Sequence, residues 1–284
     1  MAFQTNLFLS RQAVLATKHK KEIVFAPLLA HAFEINLTVP DQIDTDQLGT
    51  FTGEIERVLS PIEVLRKKCA MAYAISGCDL CFSSEGSFGS HPEMFLIPAQ
   101  EEWLMMKDFK NNLEIVVRQL STLTNFNGAF IESEAELKNF ALKASFPSHA
   151  LILSNDEKNK TSIYKGIDNW ESLSFHFNEL KTRFGNVFVE TDMRAMYNPS
   201  RMKVIENACE KLIAKMKSLC PQCNRPGFGY TKNVGGLPCE LCNTPTRSTL
   251  LYISECESCG FNQEHKYPNG KTKEEARFCD NCNP

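Results

Sequence analysis

Up to about residue 218 the chain alternates between two apolar rhythms. Runs with period two read as strands, and runs whose apolar positions recur three and four apart read as helices. "AVLAT" (13–17) reads as a strand, "KEIVFAPLLAHAF" (21–33) as a helix and "INLTVP" (35–40) as a second strand. "SPIEVLRKKCAMAYAISG" (60–77) is a well-marked helix, with Ser60 as N-cap, Pro61 in the first turn and Glu63 closing a capping box. Its apolar stripe is Ile62, Leu65, Cys69 and Ala72, which leaves Arg66, Lys67 and Lys68 facing elsewhere. "DLCFSSEGSFGSHPE" (79–93) opens as a buried strand through Leu80, Cys81 and Phe82, then turns polar, with Glu85 at the expected strand end.

"EMFLIPAQEEWLMMKDF" and "NLEIVVRQLSTL" read as adjacent strands, with Pro98 marking an edge or bulge in the first. "SEAELKNFALKA" and "WESLSFHFNELKTRF" are helices, and "NVFVETDMRA" is a strand leading into a loop. The last helix opens at "NPSRM", with Asn198 as cap and the stripe Met202, Ile205, Cys209, Leu212 and Met216. The expected fold is α/β, a mixed central sheet flanked by helices over 1–218, followed by a small zinc-ribbon domain over 219–284.

Composition changes this picture little. With 284 residues, 43% apolar and 23% charged, the chain is ordinary for one large domain and one small one. A net charge of -3 gives no general case for binding nucleic acid or an anionic membrane. The most apolar window, "EIVFAPLLAHAFEINLTVP", carries two glutamates and a histidine and is broken by Pro27, so no membrane span is expected. The N-terminus lacks the basic start and cleavage site of a secretory signal, and a cytoplasmic location is expected.

The cysteines change it more. Eight of the twelve fall in four C-x-x-C pairs: Cys220/Cys223, Cys239/Cys242, Cys256/Cys259 and Cys279/Cys282. Each pair presents two thiolates from one tight turn, and two pairs complete a tetrahedral zinc site, so two structural zinc ions are expected. The spacing narrowly favours sequential pairing, with Cys220, Cys223, Cys239 and Cys242 in one site and the other four in the second. A cross-braced arrangement, first pair with third and second with fourth, is the alternative. Seven Lys/Arg against seven Asp/Glu in this region argue against a nucleic-acid surface and for protein contact or stabilisation. Cys78 and Cys81 also form a C-x-x-C, but without a partner pair; Cys69 and Cys209 sit on core stripes.

Ligands of open α/β sheets bind beyond the carboxyl ends of strands. Four segments place polar groups there: Thr17, Lys18, His19, Lys20 and Lys21; Ser83, Ser84 and Glu85; Glu190 and Asp192, expected on one face; and Ser200 and Arg201 at a helix start. A loop adds Asp44, Asp46 and Glu54. Basic groups with a helix terminus suit phosphate, and several carboxylates suit a divalent cation.

The segments "ATKHKKE", "DTDQLGTFTGE", "SEGSFGSHP", "ETDMRA", "NPSRM", "GLPCELC" and "CDNCNP" resemble an uncharacterised bacterial family of unknown function over the full length. The order "ATKHKKE", "GTFTGE", "RKKCAMAYA", "CFSSEGSFG", "KGID", "NVFVETDMRA" and "NPSRM" is also similar to the inosine/xanthosine triphosphate pyrophosphatase superfamily. His19 stands where those proteins carry asparagine, the loop lysine falls one position early at Lys21, and Glu85 is a single acid where some members have two. The resemblance implies a Mg²⁺-dependent hydrolase of nucleoside triphosphates or a related phosphorylated metabolite. Thr17, Lys18, Lys21, Ser200 and Arg201 would hold phosphate; Glu85, Asp44, Glu190 and Asp192 would hold magnesium. Glu85, Asp192 and His19 would serve the chemistry. The rival expectation is a non-catalytic nucleotide sensor that docks a partner protein through its ribbons.

Overall fold

A computed structural model describes residues 7–48 and 59–284. The chain divides into two compact units, Phe8–Leu212 and one containing Ile213–Pro284.

In the first unit β1 (Gln12–Ala16) lies between β2 (Asn36–Thr38) and β3 (Leu80–Ser90), parallel to both. Antiparallel β4 (Pro98–Asp108) and β5 (Leu113–Ser121) extend the sheet to the order β2-β1-β3-β4-β5. Helix α1 (Glu22–Phe33) and helix α2 (Pro61–Ser76) cover opposite faces. Phe25 of α1 meets Phe82 edge-on, whereas Leu65, Cys69 and Ala72 of α2 pack with Val14, Ala16, Cys81 and Met105. Neighbouring residues Cys81 and Phe82 thus face different helices, which is why β3 opens as an unbroken apolar run. The capping box of α2 forms as expected: Ser60 Oγ accepts from the Glu63 amide and Glu63 Oε2 accepts from the Ser60 amide.

β3 corrects one expectation. It does not end near Glu85 but pairs with β4 from Leu80 through Ser90, so Glu85 lies in mid-strand. Its pairing with β1 stops at Ser83, because β1 ends at Ala16. Glu85 is therefore just past the carboxyl end of the parallel part of the sheet, on a strand that the β4 ladder carries onward. Pro98 is the first residue of β4, where its missing N–H costs least.

The mixed sheet is accompanied by a second one that the apolar pattern did not separate. β6 (Gly128–Ile131), β7 (Leu151–Ser154), β8 (Ile163–Ile167) and β9 (Val187–Thr191) run antiparallel in the order β6-β9-β7-β8. Leu137 and Phe140 of α3 (Glu134–Lys143) and Leu173, Phe177 and Leu180 of α4 (Trp170–Phe184) complete its core. Helix α5 (Pro199–Lys217) buries Ile205, Cys209, Leu212 and Met216 of the expected stripe, whereas Met202 is half-buried.

The second unit is a three-stranded antiparallel sheet, β10 (Gly229–Gly235), β11 (Thr249–Glu255) and β12 (Asn262–Lys266), with β11 in the middle. Among the described residues no helix is long and apolar enough to cross a membrane.

Candidate functional site

The polar cluster of the first unit is organised around Ser84, Glu85 and Gly86, where β3 has lost β1 as a neighbour. Three cations reach this segment from three elements. Lys21, at the start of α1, donates from Nζ to Ser84 Oγ at 2.8 Å. Lys68 of α2 donates to the Ser84 carbonyl at 3.0 Å and to Glu85 Oε2 at 2.5 Å. Arg201 of α5 is fully buried and paired with the equally buried Glu102 of β4, Nε to Oε1 at 2.6 Å. The Arg201 guanidinium also reaches the Met193 carbonyl and lies over the Phe88 ring, 5.0 Å from its centroid. Gly86 is required here: a Cβ on it would stand 2.4 Å from Arg201 Nη2 and 2.7 Å from Glu102 Oε1.

The loop after β1 supplies the remaining members. Thr17 is buried, and its Oγ1 accepts from the His19 amide at 3.2 Å. Burial, followed by the positive charges of Lys21, Arg201, Arg194 and Lys68, lowers the His19 pKa to about 3, so its imidazole is neutral. Burial and the Arg201 and Lys68 charges lower Lys21 to about 7, against the opposite pull of Glu102 and Glu85. Three of these four cations, Lys21, Lys68 and Arg201, are themselves buried, so their charges are poorly screened. Gln100, two residues before Glu102 on the same face of β4, is buried with neither amide atom hydrogen-bonded.

Other expected site residues have further partners. Lys18 is half exposed and pairs with Asp44 at 2.9 Å. Ser200 is occupied by His149, whose Nε2 lies 2.9 Å from its hydroxyl. β9 ends at Thr191, so Asp192 lies one residue beyond the strand that carries Glu190, near enough for its charge to act on that carboxylate. Glu190 is bound by Lys160, and burial raises its pKa. Asp192, just beyond the strand, accepts from Arg194 Nη2 at 2.6 Å and from the Gly166 amide at 3.1 Å. Glu54 and the "GTFTGE" segment lie outside the described residues, as does the side chain of Asp46.

The four carboxylates expected to hold magnesium therefore each take a different cation: Glu85 Lys68, Asp44 Lys18, Glu190 Lys160 and Asp192 Arg194. They do not converge as a ligand set, and the structure gives that set no fit to a divalent ion. Lys68, Glu102, Arg194 and Gly86 belong to the cluster but were missed. Lys68 was expected to face away, yet it lies with Val64, Leu65, Cys69 and Ala72 on the buried face of α2. The signal available was its position, one residue before Cys69 and three after Leu65.

The cysteines form two clusters, and here the sequential pairing is overturned. Cys220, Cys223, Cys256 and Cys259 gather in one, and Cys239, Cys242, Cys279 and Cys282 in the other, all sulfurs of each within 4.8 Å. The reason is strand direction. β10 and β12 are single crossings, not hairpins, so each carries the chain to the opposite end of the sheet, and successive knuckles alternate ends. Gly229, after the first knuckle, pairs with Glu255, before the third. At the other end Glu274 joins the second knuckle: its amide donates to Pro238 and its carbonyl accepts from Glu240. That tie brings the fourth knuckle alongside.

Each knuckle is set within five residues. The amide following the second cysteine donates to the carbonyl of the first, as in Asn224 to Cys220 at 2.8 Å and Gly260 to Cys256 at 2.9 Å. Asn224, Asn243 and Gly260 take the left-handed conformation this turn needs, with φ of 57°, 57° and 72°. Across the clusters, Cys220–Cys259 and Cys223–Cys256 are 3.7 and 3.6 Å apart, and Cys239–Cys282 and Cys242–Cys279 are 3.9 and 3.6 Å. Thiolates about 2.3 Å from a tetrahedral zinc are separated by about 3.8 Å, so both clusters fit the ion.

The family described as Domain of unknown function (DUF6671) matches residues 68–284, which includes Lys68, the Ser84–Gly86 hub, Arg201 and all eight clustered cysteines. No curated protein matches the chain, and no solved structure does. The likeness to inosine/xanthosine triphosphate pyrophosphatases therefore has no support from them.

Proposed function

The chain belongs to the DUF6671 family, and from that premise we propose that its α/β unit binds and hydrolyses a phosphorylated small molecule, with nucleoside triphosphates the first class to test. The observation that carries this reading is the convergence of Lys21, Lys68 and Arg201 on Ser84–Gly86. Like charges held this close in a buried setting repel one another, and an anionic ligand relieves that repulsion. Thr17 and His19 border the same space, so a phosphate chain meets donors from the loop after β1, from α2 and from α5. Glu85 is the carboxylate placed among these cations, and we assign it the chemical role. Magnesium belongs to this reading as the companion of the triphosphate, and no step is assigned to it. A cytoplasmic, reducing setting suits twelve unpaired thiols.

In this reading two zinc ions occupy the cysteine clusters as structural ions, since four thiolates leave no open position. Exposed Leu241 and Phe278, close to the second and fourth knuckles in the chain, favour protein contact there over nucleic acid.

One observation favours a second reading, a sensor that binds without turnover. Glu85, Glu102 and Asp192 each hold a cation already, so none of these three stands ready for a metal. The two readings separate in one experiment. Zinc-loaded protein is incubated with Mg²⁺ and ordinary and deaminated nucleoside triphosphates, and phosphate and pyrophosphate release are followed for wild type and Glu85→Gln. Hydrolysis that falls about 100-fold or more in the variant supports the enzyme. Binding without release supports the sensor, and neither binding nor release overturns both.

A further inference from the structure

The α/β unit contains a groove of about 1050 Å³ between the far end of the β3–β4 pair and the second sheet, outside the polar cluster. Its size is at the upper end of small-molecule sites, about 300–1,000 Å³. Its walls are aromatic: Phe95 from the β3–β4 turn, Phe126 from the segment after β5, and Phe188 from β9. Phe188 is packed down onto Gly128, where a Cβ would stand 2.7 Å from the ring. Phe95 and Phe126 remain 74% and 40% exposed, so part of each ring is within reach of a ligand. The polar lining includes the Lys160–Glu190 pair, with Lys160 largely buried, and Lys158.

Phe88 connects this groove to the cation cluster. One side of it meets the Arg201 guanidinium, and it also packs on Phe126, with ring centroids 5.7 Å apart. Along β3, Gly86 sits against Arg201 while Gly89 and Ser90 line the groove. Three residues of strand separate Gly86 from Gly89, about 10 Å. Phe88 thus stands between the cation cluster and the aromatic-walled groove, in contact with both sides.

We infer that the groove receives a planar heteroaromatic ring covalently joined to the phosphates held at Ser84–Gly86, so that the ligand is a nucleotide and neither an inorganic polyphosphate nor a phosphorylated sugar. The inference rests on the phosphate-binding reading above and narrows it. Phe126 is the stacking surface, Phe95 the exposed wall, and Phe188 the buried one. A sugar phosphate would satisfy the cations but leave these three rings unused.

The test is calorimetric titration of the full-length, zinc-loaded protein with inorganic tripolyphosphate and with nucleoside triphosphates carrying each common base. Wild type, Phe126→Ala and Phe95→Ser are compared, the last at an exposed position that folding tolerates. At least one nucleotide is expected to bind about tenfold or more tighter than tripolyphosphate, and Phe126→Ala to remove about that factor while leaving tripolyphosphate unchanged. Phe95→Ser is expected to weaken the same nucleotide by a smaller factor. Equal affinity for tripolyphosphate and every nucleotide overturns the ring subsite and leaves the phosphate reading standing. So does a Phe126→Ala loss equal for both probes or, if that variant fails to fold, a Phe95→Ser protein with wild-type nucleotide affinity. No binding of tripolyphosphate or any nucleotide overturns the phosphate reading and the ring subsite with it.

Discussion

The two units gather their polar residues in opposite ways. In the cysteine-rich unit each ligand pair is made by a five-residue turn, and the sheet only decides which turns meet. In the α/β unit Thr17, Lys21, Lys68, Glu85, Glu102 and Arg201 arrive from five separate segments, and only Thr17 and Lys21 share one, the connection from β1 to α1. The thiols share one chemistry and gain a common ion. The charged groups satisfy one another in pairs, so their grouping is a balance of attraction and crowding. A site built from local turns is robust to the path of the chain between them; a site built from long-range pairs depends on every element that carries a member.

That contrast can be broken or sharpened by experiment, beginning with the metal clusters. Replacing knuckles one and three by serine is expected to leave one tetrathiolate site, readable as one zinc per chain and as a cobalt(II)–thiolate spectrum after exchange. Replacing knuckles one and two is expected to leave none. Structural zinc contributes on the order of 10 kcal/mol to small domains, so the second variant should lose the β10–β12 sheet altogether. Retention of a complete site in the second variant, and its loss in the first, would restore sequential pairing.

A smaller effect is expected at the Arg201–Glu102 pair, where both side chains are fully buried. Arg201→Met strands a buried carboxylate and should cost about 3–5 kcal/mol in urea unfolding. Adding Glu102→Gln should recover part of that loss, because the penalty comes mainly from the unpaired charge. If the single variant is as stable as wild type, the pair is not the anchor described here.

The effect that is smallest per step of the measurement is electrostatic. The folded chain holds Lys21 at about 7, below the ordinary 10.5, because of burial and the neighbouring Arg201 and Lys68. Between those values the unfolded chain keeps a proton that the folded chain has released, so this lysine makes stability rise with pH across that window. Below about pH 7 the penalty is fully present and constant. The slope cannot exceed about 1.4 kcal/mol per pH unit for one proton, and it should vanish in Lys21→Met. An identical pH profile in wild type and variant would place Lys21 in contact with water.

What could be read from the sequence follows the same division. The eight ligands, both ends of α2 and the cap of α5 were legible because each is encoded within a few neighbouring residues. The pairing of the knuckles was not, since "GYTKNVG" and "NQEHK" are polar and exposed and give no apolar signal that they are strands. Lys68 was hidden by its type: charge suggested solvent, whereas its place between Leu65 and Cys69 led it inward. Glu85 was singled out correctly as unusual but placed at a strand end, because small residues weaken the strand signal that pairing with β4 then overrides. The grouping of Glu190 with Asp192 assumed that β9 continued one residue further than it does.

The alternation of knuckles between sheet ends also governs how the cysteine-rich unit responds to a broken backbone. With metal in both clusters, a cut between Cys223 and Cys239 is bridged by the first cluster, and one between Cys259 and Cys279 by the second. A cut between Cys242 and Cys256 is bridged by both. No single nick from residue 224 to 278 can release a fragment while the ions stay bound. Under sequential pairing the stretch through β11 would have been the one place where a protease could cleave the unit into two free pieces.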